Sequence, residues 1–194
     1  SVAVSQNALY TNTGGSNTAV GENALFANTS GTNNTAIGRG ALDVNTTGSS
    51  NVAVGVGSLD ANTTGFSNTT VGNSSLGGNT TGAYNAVLGQ NAALTNTTGS
   101  DITAIGFGAL QANTTANSNT AVGTNALNAN TTGTANTALG RRALYVSTEG
   151  DYNTAVGNNC LVANTVGTQN TAVGHDALND NTQGDYNVAM GSNA

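Results

Sequence analysis

The chain has 194 residues, of which only 6% are charged, and it contains no proline, tryptophan or lysine. An ordinary globular domain carries about 25% charged residues, whereas here asparagine and threonine, 32 of each, and 27 glycines predominate. Three arginines on a chain of net charge -6 cannot neutralise a phosphate backbone, which excludes nucleic-acid binding. No apolar run approaches the ~20 residues that span a bilayer, so we expect no membrane insertion.

The single cysteine and the single histidine limit the chemistry further. One cysteine cannot form an intrachain disulfide, and one histidine cannot build a histidine-rich metal site. Apolar residues make up 37% of the chain and recur at regular positions, which disordered chains do not show. The sequence therefore predicts a folded chain with no metal site and no cofactor.

A 17-residue unit, N-T-A-V-G-x-x-A-L-x-x-N-T-T-G-x-x, repeats along almost the whole chain. Its Val-Gly pair or equivalent falls at Val20-Gly21, Ile37-Gly38, Val54-Gly55, Val71-Gly72, Leu88-Gly89, Ile105-Gly106, Val122-Gly123, Leu139-Gly140, Val156-Gly157, Val173-Gly174 and Met190-Gly191, with a shorter first copy at Val4-Ser5. No linker interrupts the repeats, so residues 1–194 are predicted to form one solenoid domain.

Within each unit, two short segments lie between turn-forming clusters, for example Asn17 to Val20 and Ala24 to Ala27. Seventeen residues are too few for the two helices of a helical repeat, whereas segments of about four residues suit short strands. The sequence therefore predicts an all-β fold, a parallel β-solenoid or β-roll of about eleven 17-residue coils with two short strands per coil. Equivalent residues would then stack ~4.8 Å apart.

Each recurring residue has an expected role in such a coil. The glycine after valine is expected at a turn with positive φ, and the second glycine column, which begins at Gly31, is expected to turn the chain likewise at the other end. The asparagine column that begins at Asn28 predicts a hydrogen-bonded ladder. The invariant threonines from Thr29 to Thr182 are expected to cap the turn backbone, and the leucine column is expected to form the core.

The first strand is apolar on both of its faces, because its alanine and valine columns point in opposite directions. A strand buried on one side alternates apolar with polar residues, and a continuously apolar strand indicates burial on both sides. We therefore predict a homo-oligomer, most simply a trimer, or else a row of alanines exposed to water. The predicted oligomer-facing column consists of Ala19, Ala36, Ala53, Ala104 and Ala121.

The segments Asn34-Thr35-Ala36-Ile37-Gly38 and Asn51-Val52-Ala53-Val54-Gly55 resemble the N-S-V-A-I-G motif in the head repeats of YadA-like trimeric autotransporter adhesins. Matches of this kind run along the whole chain, and related repeats occur in phage tail-fibre proteins. The resemblance implies a left-handed parallel β-roll, trimeric packing through the apolar strand and an extracellular adhesive role. The present unit is longer than that head repeat because its N-T-T-G-x-x turn is extended.

Single-copy residues offer no catalytic constellation. Cys160 occupies a column of small residues and is expected to be a buried structural thiol. His175 lies in a column that accepts residues of every chemical type, so its side chain is expected to face water. Asp43 and Asp60 lie one coil apart and either face water or hold a calcium ion together with turn carbonyls. We therefore expect a protein that is not an enzyme.

Exposed aromatic residues are the best candidates for recognition, because a ring combines apolar area with a polar tip. They suit a glycan or a protein on a host surface, although they could instead cover turn backbone. The candidate recognition surface consists of Phe66, Tyr84, Tyr152, Tyr186, Phe26 and Tyr145.

The sequence therefore predicts an extracellular, cell-surface or virion fibre segment, a stiff rod that presents turn residues for multivalent attachment. The chain enters and leaves in the middle of a repeat without a cap, so an alternative is a subunit that polymerises end to end through its open strand edges. Ice binding is a third and less favoured hypothesis, because the only unbroken threonine column is predicted to lie at a turn.

Overall fold

The computed structural model describes residues 1–194 and contains twelve three-residue β-strands and no helix. The strands are β1 (Val2–Val4), β2 (Thr18–Val20), β3 (Thr35–Ile37), β4 (Val52–Val54), β5 (Thr69–Val71), β6 (Ala86–Leu88), β7 (Thr103–Ile105), β8 (Thr120–Val122), β9 (Thr137–Leu139), β10 (Thr154–Val156), β11 (Thr171–Val173) and β12 (Val188–Met190). Each strand pairs in parallel with the next strand along the chain. Equivalent residues of successive repeats face one another, which confirms the predicted β-solenoid.

Each coil contains one strand, and the prediction of two strands per coil is wrong. In the segment that was expected to form the second strand, Asn23 and Leu25 have φ values of 57° and 51°, whereas a strand requires a strongly negative φ. The segment still bonds to the next coil, because the Leu25 N–H donates to the Ala41 carbonyl at 3.0 Å. A leucine at positive φ is strained by roughly 1–2 kcal/mol, which burial of its side chain, worth roughly 1.5–3 kcal/mol, offsets.

The core is thin and is built from two alanine columns and the predicted leucine column, whose members from Leu25 to Leu161 are fully buried. Alanine fills the strand column in most coils, since little space separates the strand from the opposite segment. Where Val87 replaces that alanine, the same coil carries Ala93 in place of leucine. The larger and the smaller side chain compensate in volume, as a closely packed interior requires.

The two glycine columns recur for different reasons. Every glycine that follows the strand has a positive φ, as predicted, and a Cβ on Gly72 would lie 2.6 Å from the backbone of Gly89. The second column does not have positive φ, so that part of the prediction is wrong. A Cβ on Gly48 would instead collide with the carbonyl of Gly65 and with the side chain of Asn45.

The predicted asparagine ladder is confirmed and lies in the interior. Asn45 Nδ2 donates to Asn28 Oδ1 at 2.7 Å and to the Gly48 carbonyl at 3.0 Å, and the pattern repeats in the following coils. These asparagines are fully buried. Their N-T-T triplets match glycosylation sequons, but a fully buried side-chain nitrogen in the folded chain is closed to modification.

A second asparagine ladder, which the repeat pattern did not predict, precedes most of the strands. Asn34 donates its backbone N–H to Asn17 Oδ1 at 2.9 Å, and its Nδ2 donates to the Gly48 carbonyl at 2.8 Å. The Gly48 carbonyl therefore accepts an amide from each ladder. This shared acceptor joins the two sides of the coil and explains why glycine, with no Cβ, recurs beside it.

The invariant threonines add a third chain of hydrogen bonds. The Thr29 hydroxyl donates to the Thr46 carbonyl at 2.9 Å, and Thr46 donates likewise to Thr63 at 3.0 Å. The prediction that these hydroxyls cap turn backbone is confirmed, and the backbone they cap belongs to the next coil.

The first ladder has one break, at Ser147. Asn130 Oδ1 and Ser147 Oγ are buried and have no hydrogen-bond partner, and Asn164 Nδ2 donates only to the Gly167 carbonyl. An unsatisfied buried polar atom costs roughly 1–3 kcal/mol. The break therefore leaves two unpaired polar atoms in the ladder.

We predict that Ser147→Asn stabilises the protein. The new amide can donate to Asn130 Oδ1 and accept from Asn164 Nδ2, so the free energy of unfolding should rise by about 1–3 kcal/mol. Urea denaturation followed by circular dichroism measures the change. Ser30→Asn, the same substitution at an exposed turn, should change it by less than about 0.5 kcal/mol. Equal effects of the two substitutions would contradict the ladder argument.

Candidate functional site

The outward face of the sheet is the most extensive candidate site. Residues one and three of each strand point outward and residue two points inward, because successive side chains of a strand alternate. We call the two outward columns the Thr–Val face. It comprises Thr18, Thr35, Val52, Thr69, Ala86, Thr103, Thr120, Thr137, Thr154 and Thr171 in one column and Val20, Ile37, Val54, Val71, Leu88, Ile105, Val122, Leu139, Val156 and Val173 in the other, and Val2, Val4, Val188 and Met190 complete its ends.

The alanine column lies on the inside, so the prediction that it faces a partner is wrong. Ala19, Ala36, Ala53, Ala104 and Ala121 are all 0% exposed and belong to the hydrophobic core. The physical reason is the thinness of the coil, which in most coils leaves room for a methyl group only, with Thr70 and Val87 as the larger exceptions. The valine column therefore takes the outward position.

The Thr–Val face is apolar along one column and carries no charged residue. Leu88 is 49% exposed and Leu139 is 46% exposed, although each lies in a strand that is paired on both sides. Single exposed apolar residues are normal, but contiguous apolar surface marks an interaction site. The continuity of this column makes the face a candidate interface.

The six aromatic residues of the predicted recognition surface do not form one patch. Phe66 and Tyr84 lie together, with ring centroids 5.1 Å apart and an edge-to-face angle of 81°. Tyr152 and Tyr186 share the column of Tyr84. They lie farther along the rod, and Gln169 occupies the coil between them and donates its Nε2 to the Tyr186 hydroxyl at 3.2 Å.

The two other aromatic residues are covered by neighbouring side chains. Phe26 stacks on Tyr10 at a centroid distance of 5.3 Å, with the rings 9° from parallel. The Arg142 guanidinium lies over the ring of Tyr145, 4.6 Å from its centroid. A covered ring face is not free for a ligand, so the role predicted for Phe26 and Tyr145 has less support than that of the Phe66–Tyr84 pair.

Cys160 is fully buried, as predicted, and its Sγ donates to the Ala172 carbonyl at 3.2 Å. Burial raises the pKa of its thiol to about 11. A nucleophilic cysteine requires a low pKa and a neighbouring base, and this thiol acts instead as a small core residue.

His175 is exposed, as predicted, and its Nδ1 lies 3.0 Å from Asp176 Oδ2. A surface contact of this kind contributes little to stability. No group of three or more histidine, cysteine, aspartate or glutamate residues is arranged to hold a metal ion. The structure also contains no helix that is long and apolar enough to span a bilayer.

Asp43 and Asp60 line a shallow surface hollow together with Gly40 and Gly57. Partial burial raises the pKa of Asp43. Burial also raises the pKa of Asp60; backbone hydrogen bonds oppose this effect, and the negative charge of Asp43 adds to it. The charge of Asp43 therefore disfavours ionisation of Asp60. Exposure of the pair to water remains the prediction, with calcium binding as its alternative.

A comparison with protein-family models finds no match, and the comparisons with curated proteins and with solved structures find none either. The resemblance to head repeats of trimeric autotransporter adhesins therefore stays a prediction that the sequence motif alone carries.

We predict that Asp43→Asn stabilises the protein at pH 7 and has no effect at pH 3. A carboxyl whose pKa is higher in the folded than in the unfolded state favours folding while it is protonated. That contribution is lost as the pH rises from the unfolded value of about 3.9 through the folded pKa. Urea midpoints of wild type and variant at the two pH values provide the measurement. The exposed Asp180 supplies the control Asp180→Asn, and an equal gain in both variants would refute a local cause.

Proposed function

We propose that the chain is a rigid segment of an extracellular or virion-borne fibre, in which several copies associate through the Thr–Val face. The observation that carries this proposal is the uncharged and continuously apolar outer column of the twelve-stranded sheet. A second copy offers the same repeat spacing, so equivalent coils of two chains can meet along the whole length. The motif resemblance also favours three chains around one axis.

The size of the face favours three associated chains over two. Twelve stacked strands give a length of roughly 50 Å, and three residues give a width of roughly 10 Å. Two such faces bury roughly 1,000 Å² in total, whereas stable interfaces bury roughly 1,200–2,000 Å². A closed ring of three chains buries three such faces, roughly 1,500 Å² in total, which falls within that range.

Rigidity suits a fibre role. The two asparagine ladders and the threonine hydroxyls connect each coil to the next by hydrogen bonds that involve side chains, in addition to the backbone ladder. The turn residues are free to vary without disturbing these bonds. We propose that they supply the attachment surface and that stacked chains present them in several copies, which increases avidity.

Ice binding is the second candidate function, and one structural observation supports it more strongly than the sequence pattern did. Eight strands place a threonine on the Thr–Val face, at Thr18, Thr35, Thr69, Thr103, Thr120, Thr137, Thr154 and Thr171. The same register relates every strand, so hydroxyl and methyl groups form a regular array that could order water. The valine column opposes this reading, because Val, Ile, Leu and Met differ in shape and make the surface uneven.

We predict that Leu88→Glu with Leu139→Glu dissociates the assembly. Two carboxylates at the centre of an apolar interface would lose their hydration without a partner, which costs several kcal/mol. Sedimentation velocity at micromolar concentration should show an oligomer for the wild type and a monomer for the double variant.

The matched control is Val56→Glu, since Val56 is 41% exposed but lies outside the Thr–Val face. This variant should assemble as the wild type does. A monomeric wild type would contradict the fibre proposal. A monomer that shows thermal hysteresis, lost on Thr120→Leu, would support ice binding instead.

A further inference from the structure

The Phe66–Tyr84 pair is the aromatic site that remains open. Phe66 is 42% exposed and Tyr84 is 58% exposed. Their edge-to-face packing holds the two rings at nearly a right angle. No stacked ring or guanidinium covers either of them, unlike the rings of Phe26 and Tyr145.

Two polar side chains flank the pair along the rod. Ser67 and Asp101 share the column of Tyr84 and lie one coil before and one coil after it. Neither the Ser67 hydroxyl nor the Asp101 carboxylate takes part in a hydrogen bond within the protein. The carboxylate of Asp151, at a neighbouring turn position, differs because it accepts from Thr134. A free hydroxyl and a free carboxylate therefore border the aromatic rings.

The backbone at this corner also has unused donors. In two other coils a serine hydroxyl accepts a hydrogen bond from a backbone N–H of the preceding coil. The Thr32 N–H donates to Ser49 Oγ, and the Ala83 N–H donates to Ser100 Oγ, each at 3.0 Å. Phe66 replaces the serine at its coil and cannot accept, so the Ser49 N–H has no partner. The Phe66–Tyr84 pair therefore lies at a turn where the hydrogen bond from the backbone N–H to a serine hydroxyl is missing.

We propose that this corner binds a neutral saccharide. The apolar face of a sugar ring packs on aromatic rings, and its hydroxyls can donate to Asp101 and exchange hydrogen bonds with Ser67. Residues 40–140 contain no arginine, lysine or histidine, so nothing close along this part of the chain would neutralise an acidic sugar. The proposal rests on the fibre function proposed above, because it names the class of ligand that such a fibre would hold.

The test uses the labelled full chain on an array of immobilised neutral oligosaccharides, their sialylated counterparts and a protein-only spot. The wild type should bind the neutral spots. Tyr84→Ala and Phe66→Ala should each weaken that binding about tenfold, as expected when an anchor residue is truncated. Tyr84→Phe, which keeps the ring, should retain most of the binding.

Tyr152→Ala is the matched control, because Tyr152 occupies the same column and is 62% exposed but has no aromatic partner. It should bind as the wild type does. The proposal is overturned if no neutral spot is bound, if sialylated or protein-only spots are bound more strongly, or if Tyr152→Ala reduces binding as much as Tyr84→Ala.

Sedimentation of the same samples separates this proposal from the fibre function. An oligomeric chain that binds no neutral saccharide overturns the ligand assignment and leaves the assembly intact. A monomeric chain that binds neutral spots through Tyr84 overturns the fibre assembly and supports the site.

Discussion

The architecture depends on side-chain amides that are buried and yet, apart from Asn130 at the Ser147 break, fully hydrogen-bonded. A buried amide without partners is costly, and here each ladder asparagine meets its partner in the neighbouring coil only when the two coils lie in register. A slip of one residue would separate Asn45 from Asn28 and Asn34 from Asn17. The amides therefore select a single register, which an apolar core of alanine and leucine alone would specify less strictly.

The thin interior determines which side chains lie on the outer surface of the sheet. Because the strand column is limited mainly to alanine, the larger aliphatic residues occupy the outward column, where Val, Ile, Leu and Met are all accepted. This distribution places a long apolar surface on one side of the rod. Its association with further copies is the simplest way to remove that surface from water.

Substitutions inside the coil occur in compensating groups. Ile102 replaces an asparagine of the second ladder, and in the same coil Ala116 replaces the glycine whose carbonyl would accept that amide. Ser58, Thr70 and Ser75 introduce hydroxyls into the core, and these bond to one another at 2.6 Å and 2.9 Å. Ser147 is an exception, because it leaves a buried acceptor unpaired. The variable turn columns have no such constraint and are free to carry recognition residues.

Stacked coils, the first asparagine ladder and the buried thiol of Cys160 could all be predicted from the 17-residue period, because residues one period apart must meet in a solenoid. The conformation of the Ala-Leu segment could not, since leucine rarely adopts positive φ and tolerates it here because its side chain is buried. The outward side of the strand could not be predicted either. Alanine and valine are both apolar, so their alternation does not distinguish inside from outside, and only the distance between the two walls of the coil makes alanine the residue that fits within.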